Sequence, residues 1–238
     1  MKNQLPLVQK IACLILLIHL PMACVEYDAL SYDGKNLPRI TAYSNDWLYY
    51  NLREDKFLNP FSSGDSLFRS ADRPIVEGEQ KDRLDWDIAF NRFNIRTNSG
   101  LSGHGKGGAY DMGLVSYESI TSIAQIPSHA VFVTDTLVNI TMSQEQWILE
   151  SSKTGNTDPW FDPNSGPKQM KSTANLVLAN ALRFSGPPPS YQPSYHVYII
   201  RSAEGTRFFK LLIISWYDPE LEIGESGGLI SYKCDEIF

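Results

Sequence analysis

The stretch of the chain that decides the fold lies at residues 84–100 and has the sequence LDWDIAFNRFNIRTNSG. Its first half alternates in part, with Trp86, Ile88 and Phe90 on one face and Asp87 on the other. A period of two is typical of a β-strand that has one buried face. The stretch therefore predicts a β-strand.

The rest of the chain follows the same pattern. Aromatic and β-branched residues favour strands, and they concentrate at residues 47–52, 130–134, 137–141, 175–179, 195–201, 207–217 and 229–233. Residues 203–206 predict a hairpin turn between two of these strands. Residues 114–126 favour a short helix. Residues 151–171 predict a long loop, a feature that is more often functional than accidental. We expect an all-β domain with one substantial core.

The N-terminus predicts export. Lys2 and Lys10 flank a polar start, apolar residues follow at 11–18, and Ala23 precedes Cys24. This order is typical of a secretory signal peptide, and the apolar run is too short to span a bilayer. The cysteine is similar to the one in the lipobox of bacterial lipoproteins, whose acyl chains hold a protein on a membrane. The alternative is an ordinary secreted protein with a coincidental cysteine.

These signals divide the chain into three parts. Residues 1–23 form the lipoprotein signal peptide, residues 24–45 a lipidated, turn-rich tether, and residues 46–238 the all-β domain. Without the signal peptide, the chain has 19 basic and 27 acidic residues, a net charge of −8. Such a chain lacks the basic footprint of nucleic-acid binding. Cys234 then stands alone, which excludes a disulfide framework or a cysteine-based metal site.

A resemblance to a known family rests on two patches. Residues 84–100, continued by Gly103-His104-Gly105-Lys106-Gly107-Gly108-Ala109, resemble the signature of the HmuY-like haem-binding family. Residues 197–201, with Gly205, Lys210 and Tyr217, are similar to the family's C-terminal hairpin. The resemblance covers most of the chain from about Trp47 to the end.

The resemblance implies a fold and a function. It implies two antiparallel sheets in a single domain, a ligand cleft at one end, and one bound haem (iron protoporphyrin IX). Family members from Bacteroidetes are lipid-anchored haemophores for iron acquisition, which pass haem to a TonB-dependent outer-membrane transporter. We therefore expect a non-enzymatic carrier, anchored by lipid to the outer membrane at the cell surface. The alternative is a surface lipoprotein of the same fold that binds a non-haem ligand or a protein partner.

The axial ligands of the best-known family member are two histidines, and this chain lacks both. The local match puts them within residues 143–146 and just after Phe184-Ser185. The first place contains Gln144 and Gln146, and the second is followed by Gly186-Pro187. The sequence therefore argues against bis-histidine ligation.

Two methionines are the candidates for the haem-iron ligands. The resemblance to other family members implies methionine ligation, and Met142 and Met170 lie in the matching region. A thioether is a soft ligand that suits haem iron, particularly in the ferrous state. The alternative is that both methionines fill gaps in the core. Tyr191 and Trp160, together with Tyr195, are candidates to line the porphyrin cleft, because flat apolar ligands favour aromatic walls.

The remaining chemical motifs favour structural roles. His104 is expected in a solvated loop, His129 at the surface before a strand, and His196 within a strand. Residues 224–228 match the G-x-S-x-G pattern of serine hydrolases, but they lie between strands where no helix can follow, so a β-turn is expected. Asp85 and Asp87 share a strand face, and they fit the family signature better than acid–base catalysis. An enzyme would need a convergent polar constellation that the sequence does not supply.

Overall fold

The structure is a computed structural model that describes residues 35–36, 47–58, 75, 78–141, 169–185, 190–216 and 230–238. At residues 35–36, 141, 169–170, 184–185 and 190 it describes the backbone alone. Contacts divide the chain into two units, Met1–Ser31 and Tyr32–Phe238, and every described residue belongs to the second.

The described chain consists of short strands. They are β1 (Lys35–Asn36), β2 (Leu48–Asn51), β3 (Lys56–Phe57), β4 (Ile88–Asn91), β5 (Asn94–Thr97), β6 (Gly108–Asp111), β7 (Thr136–Thr141), β8 (Gln169–Ala174), β9 (Leu182–Ser185), β10 (Ser190–Pro193), β11 (Val197–Arg201), β12 (Phe208–Ser215) and β13 (Ser231–Ile237). Four 3₁₀ turns lie at Glu79–Asp82, Tyr117–Ser119, Ile123–Gln125 and Leu178–Asn180, and the described residues contain no α-helix. The all-β prediction is confirmed.

Two antiparallel sheets form the body of the fold. One has five strands in the order β1-β13-β12-β11-β6, and the other has four in the order β3-β2-β4-β5. Two further antiparallel pairs, β7-β8 and β9-β10, complete the described structure. The predicted two-sheet architecture is therefore confirmed, with two ribbons added to it.

The alternation of side chains along the strands builds separate apolar clusters on the two faces of each sheet. In β11, Tyr198 and Ile200 point into the inner cluster, together with residues of β2 and β4, while Val197 and Ile199 pack on the outer face. Trp86 lies in a further cluster with Ala89, on the opposite face from Ile88 and Phe90. The prediction that Trp86 shares their face is wrong, because β4 begins only at Ile88.

Three other predicted segments differ from the structure. Residues 175–179 form a turn and not a strand, because the Asn175 carboxamide oxygen accepts from the backbone N–H groups of Val177 and Leu178. Such local bonds favour a turn over a strand. Residues 130–134 contribute only a single bridge, between Val133 and Ala109. Residues 114–126 form two 3₁₀ turns in place of one helix.

The buried carboxylate of the signature stretch, Asp87, ties three parts of the fold together. Asp87 is fully buried, and its oxygens accept from the backbone N–H groups of Leu52 (2.9 Å) and Ala203 (2.7 Å). The guanidinium of Arg53 donates a third bond at 3.1 Å. Leu52 follows β2, and Ala203 lies in the β11–β12 turn. The Asp87 side chain therefore ties the four-stranded sheet, which contains β2 and β4, to the five-stranded sheet.

Asn98 organises the glycine-rich segment in the same way. Its carboxamide nitrogen donates to the carbonyls of Arg83 (2.8 Å) and Trp86 (2.9 Å), and its oxygen accepts from Gly105 N–H (3.0 Å). A Cβ atom on Gly105 or Gly107 would come within 2.6 Å of the Asn98 backbone oxygen. The glycines are therefore needed because the chain passes closely around Asn98, including its backbone carbonyl.

A second buried carboxylate closes the network. Asp135 accepts from Thr97 N–H (2.8 Å), from the Thr97 hydroxyl (2.6 Å) and from the Asn175 carboxamide (3.0 Å). Burial raises the pKa of Asp135, although these hydrogen bonds oppose the shift. We call this end of the sandwich, built around Asp87, Asn98 and Asp135, the polar end.

Candidate functional site

Three aromatic side chains meet at the other end of the sandwich, and we call them the aromatic cluster. The ring of Phe93 stacks on Tyr191 with centroids 5.1 Å apart and an interplanar angle of 28°. The ring of Trp216 lies 5.4 Å from Tyr191 and 6.3 Å from Phe93. Trp216 is buried, whereas Phe93 and Tyr191 are half-buried. A half-buried aromatic wall of this kind is what a flat apolar ligand needs.

Strand ends bring these side chains together. Phe93 lies in the two-residue turn between β4 and β5, whose last register pair is Asn91 with Asn94. Tyr191 lies in β10, where it pairs with Phe184 of β9, and Trp216 follows β12 directly. The cluster thus joins both main sheets and the β9-β10 ribbon, opposite the end where Asp87 contacts the β11–β12 turn.

A buried cation lies beside this cluster. Arg92 precedes Phe93 in the same turn, has a φ of 55°, and is 8 % exposed. Burial lowers the pKa of the Arg92 guanidinium, and the electrostatic interaction with Tyr191 acts in the opposite direction. The site therefore combines aromatic surface with positive charge.

The structure describes only part of the predicted site. Met142, Trp160 and Cys24 lie outside the described residues. Met170 belongs to β8, where its backbone pairs with Ile140 of β7. Two of the predicted lining residues have described side chains: Tyr191 lies in the aromatic cluster, and Tyr195 is exposed.

The register of β7 with β8 relates the sequence positions of the two predicted iron ligands, Met142 and Met170. Thr141, the last residue of β7, pairs with Gln169 of β8. The residue that precedes Met142 in the sequence therefore pairs with the residue that precedes Met170. The cleft expected between the two sulfur atoms involves Met142 and so lies outside the described residues.

Two histidines pair with carboxylates. His196 Nδ1 lies 2.9 Å from Asp111 Oδ2, and the contact joins the residue just before β11 to the last residue of β6. His104 Nδ1 lies 3.1 Å from Asp82 Oδ1, and both side chains are well exposed, as expected for a solvated loop. Within the described ranges, no three His, Cys, Asp or Glu side chains come together to hold a metal ion.

A cleft of about 730 Å³ opens at the polar end, away from the aromatic cluster. Four of its charged side chains form ion pairs: Arg53 with Glu204 and with the buried Asp87, and Arg83 with Asp85. Leu84 is the one apolar residue in its lining. This composition suits water and ions better than a porphyrin, since ligand pockets of that kind are mostly apolar.

The two aspartates of the signature have different environments. Asp87 is fully buried in the network, whereas the side chain of Asp85 is 48 % exposed and pairs with Arg83 at 2.6 Å. They are not a pair of interacting carboxylates. Their arrangement supports the prediction of a structural signature and offers no acid–base dyad.

Sequence reasoning missed three residues of the site, namely Arg92, Phe93 and Trp216. The run Asn91-Arg92-Phe93-Asn94 contained the available signal, because asparagines that flank a two-residue segment favour a tight turn. A tight turn would have placed Arg92 and Phe93 at the end of the sheet.

None of the helices in the described ranges has the length and apolar content required to cross a membrane.

Comparison with known proteins identifies the family. The family model described as HmuY protein matches residues 43–234, which is most of the chain. No curated protein matches the sequence significantly.

Solved structures share the fold at low identity. A candidate HmuY-like heme-binding protein from Bacteroides vulgatus aligns with a TM-score of 0.53 and 17% identity, over 83% of this chain and 87% of that one. The apo HmuY analog from Tannerella forsythia aligns with a TM-score of 0.52 and 14% identity, over 87% of this chain and 96% of that one. A candidate lipoprotein from Bacteroides fragilis aligns with a TM-score of 0.51 and 18% identity, over 83% of this chain and 86% of that one. With its all-β sandwich and the match over residues 43–234, the chain belongs to the HmuY family of haem-binding proteins.

Proposed function

We propose that this protein binds haem at the aromatic end of the sandwich and acts as a carrier, not as an enzyme. The observation that carries the proposal is the aromatic cluster of Phe93, Tyr191 and Trp216, found in a chain of a haem-binding family. Its half-buried rings offer the apolar surface that a porphyrin face requires. The chemistry of haem resides in the cofactor, and the protein supplies binding and orientation.

Met142 and Met170 are the proposed axial ligands of the iron. The register of Thr141 with Gln169 supports the pair, because Met142 and Met170 each follow one of these two paired residues in the sequence. Thioether sulfur carries no proton at ordinary pH, in contrast to imidazole. Haem binding should therefore persist at mildly acidic pH, and it should strengthen when the iron is reduced.

The proposal extends to location and to partner. A lipid on Cys24 would hold the protein on the outer membrane at the cell surface, and residues 24–45 would act as a tether. A TonB-dependent transporter would then receive the haem. Support comes from the family and from the signal-like N-terminus.

Titration of haem into the domain that lacks residues 1–24 tests the proposal. Absorption spectra of the ferric and the dithionite-reduced complexes are recorded for the wild type, Met142→Ala and Met170→Ala. Met112→Ala is the matched control, because Met112 packs on the outer face of the five-stranded sheet. We expect a saturable one-to-one complex whose sharp ferrous spectrum is lost in the first two variants and kept in the control.

Two results would contradict parts of the proposal. A non-saturating spectrum in the wild type would mean that the fold serves another ligand or a protein partner, which is the second candidate function. Saturable binding that is unchanged in both methionine variants would leave the carrier function standing and remove Met142 and Met170 from the iron.

A further inference from the structure

The conformation of Arg92 is unusual for its residue type. It occupies one of the two turn positions between Asn91 and Asn94 with a φ of 55°. Glycine, asparagine and aspartate adopt this left-handed conformation at lower cost than a long side chain does. A two-residue hairpin turn requires a positive φ at its first position, and Arg92 stands there in place of the preferred glycine or asparagine.

The surroundings of Arg92 suit a ligand that is both flat and anionic. Its side chain is largely buried, next to Phe93 in the chain and close enough to Tyr191 for an electrostatic interaction. Phe93 and Tyr191 stack on each other and are half-buried, so part of each ring remains accessible. A planar guanidinium binds carboxylates through two parallel hydrogen bonds.

We propose that Arg92 binds a carboxylate of the ligand that packs on the aromatic cluster, which for haem is a propionate. This inference rests on the proposed function and adds a determinant of specificity to it. The ligand class is then an aromatic macrocycle that bears carboxylates, and neutral macrocycles should bind more weakly. Burial disfavours the charged form of Arg92 and lowers its pKa, and a bound carboxylate would stabilise that form.

A change in the ligand tests the inference without any change in the protein. The full chain is titrated with haem and with haem dimethyl ester, in which both propionates are neutral. A hydrogen bond to a charged group contributes enough free energy that we expect the wild type to bind the free acid about tenfold more tightly, or better. Equal affinity for the two compounds would overturn the inference.

Protein variants assign the effect to one residue. Arg92→Gln should abolish the preference for the free acid, and Arg92→Lys should keep part of it because the charge remains but the planar fork is lost. Arg183→Gln is the matched control, since Arg183 is an exposed arginine on the neighbouring strand β9 and its loss changes the net charge equally. Thermal unfolding monitored by circular dichroism shows which variants are folded, and if Arg92→Gln is not, Arg92→Lys supplies the comparison.

The outcomes separate the inference from the proposed function. Absence of saturable binding for either compound to the wild type would overturn both. Binding of haem with a preference for the free acid that survives in Arg92→Gln would overturn the role of Arg92 alone. A preference that falls to the same extent in Arg183→Gln would show a general effect of charge and would likewise overturn it.

Discussion

The two ends of the sandwich use different interactions. At the polar end, the buried side chains of Asp87, Asn98 and Asp135 accept or donate hydrogen bonds that connect distant parts of the chain. At the aromatic end, Phe93 and Tyr191 stack on each other and stay partly accessible. Buried networks in which the polar groups are bonded rigidify a structure, whereas accessible aromatic surface is available for a ligand. Within the signature stretch, Asp87 and Asn98 hold the fold together, whereas Arg92 and Phe93 lie at the opposite end, where the ligand is proposed to bind.

The largest expected effect is at Asp87, and it concerns stability. Asp87→Ala removes the acceptor for Leu52 N–H, Ala203 N–H and the Arg53 guanidinium. A buried donor left without its acceptor costs about 1–3 kcal/mol, so the free energy of unfolding should fall by roughly 3–5 kcal/mol. Urea denaturation followed by circular dichroism measures the change.

Asp85→Ala is the control for Asp87, because Asp85 is two residues away and largely exposed. Surface substitutions usually change stability by about 0.5 kcal/mol or less. Equal losses in the two variants would mean that the network at the polar end does not support the fold in the way described.

A smaller loss is expected where the chain wraps around Asn98. A Cβ atom on Gly103 would lie 2.1 Å from the Asn98 carboxamide oxygen, so Gly103→Ala must displace that side chain from its hydrogen bonds. We expect the free energy of unfolding to fall by roughly 2–3 kcal/mol. The midpoint of urea denaturation gives the measurement.

Gly113→Ala separates a steric clash from backbone strain. Gly113 has a φ of 77°, and nothing lies within 4 Å of the position that its Cβ would take. Substitution there should cost about 1 kcal/mol through conformation alone. If Gly103→Ala proves milder than Gly113→Ala, close packing around Asn98 is not what requires glycine in this segment.

The sequence predicts the structure to a different extent at the polar end and at the aromatic end of the sandwich. The period of two and the aromatic segments were enough to predict an all-β chain and most of its strands. Two details were wrong: Trp86 does not share the face of Ile88 and Phe90, because β4 begins only at Ile88, and residues 175–179 form a turn, because the Asn175 carboxamide oxygen accepts from the backbone N–H groups of Val177 and Leu178. Among the lining residues, Tyr191 was predicted from its residue type and its place in the family match.

Arg92, Phe93 and Trp216 were not predicted. Trp216 lies far from Arg92 and Phe93 in the chain, and only the packing of the sheets brings it to the β4–β5 turn. Sequence spacing carries no information about such a meeting point. The predicted ligands Met142 and Met170 came from the family resemblance, and they remain a proposal.

A modest loss of stability is expected at Tyr191, and it is paired with a large change in ligand binding. Tyr191→Ala removes a half-buried ring that stacks on Phe93, so the free energy of unfolding should fall by only about 1–2 kcal/mol. The same variant removes part of the proposed wall for the porphyrin, and haem affinity should fall by about tenfold. Gly103→Ala should show the reverse, with lower stability and unchanged haem affinity in the folded fraction. If Gly103→Ala weakens haem binding as much as Tyr191→Ala does, the two ends are not separate in function, and the assignment of the ligand to the aromatic end fails.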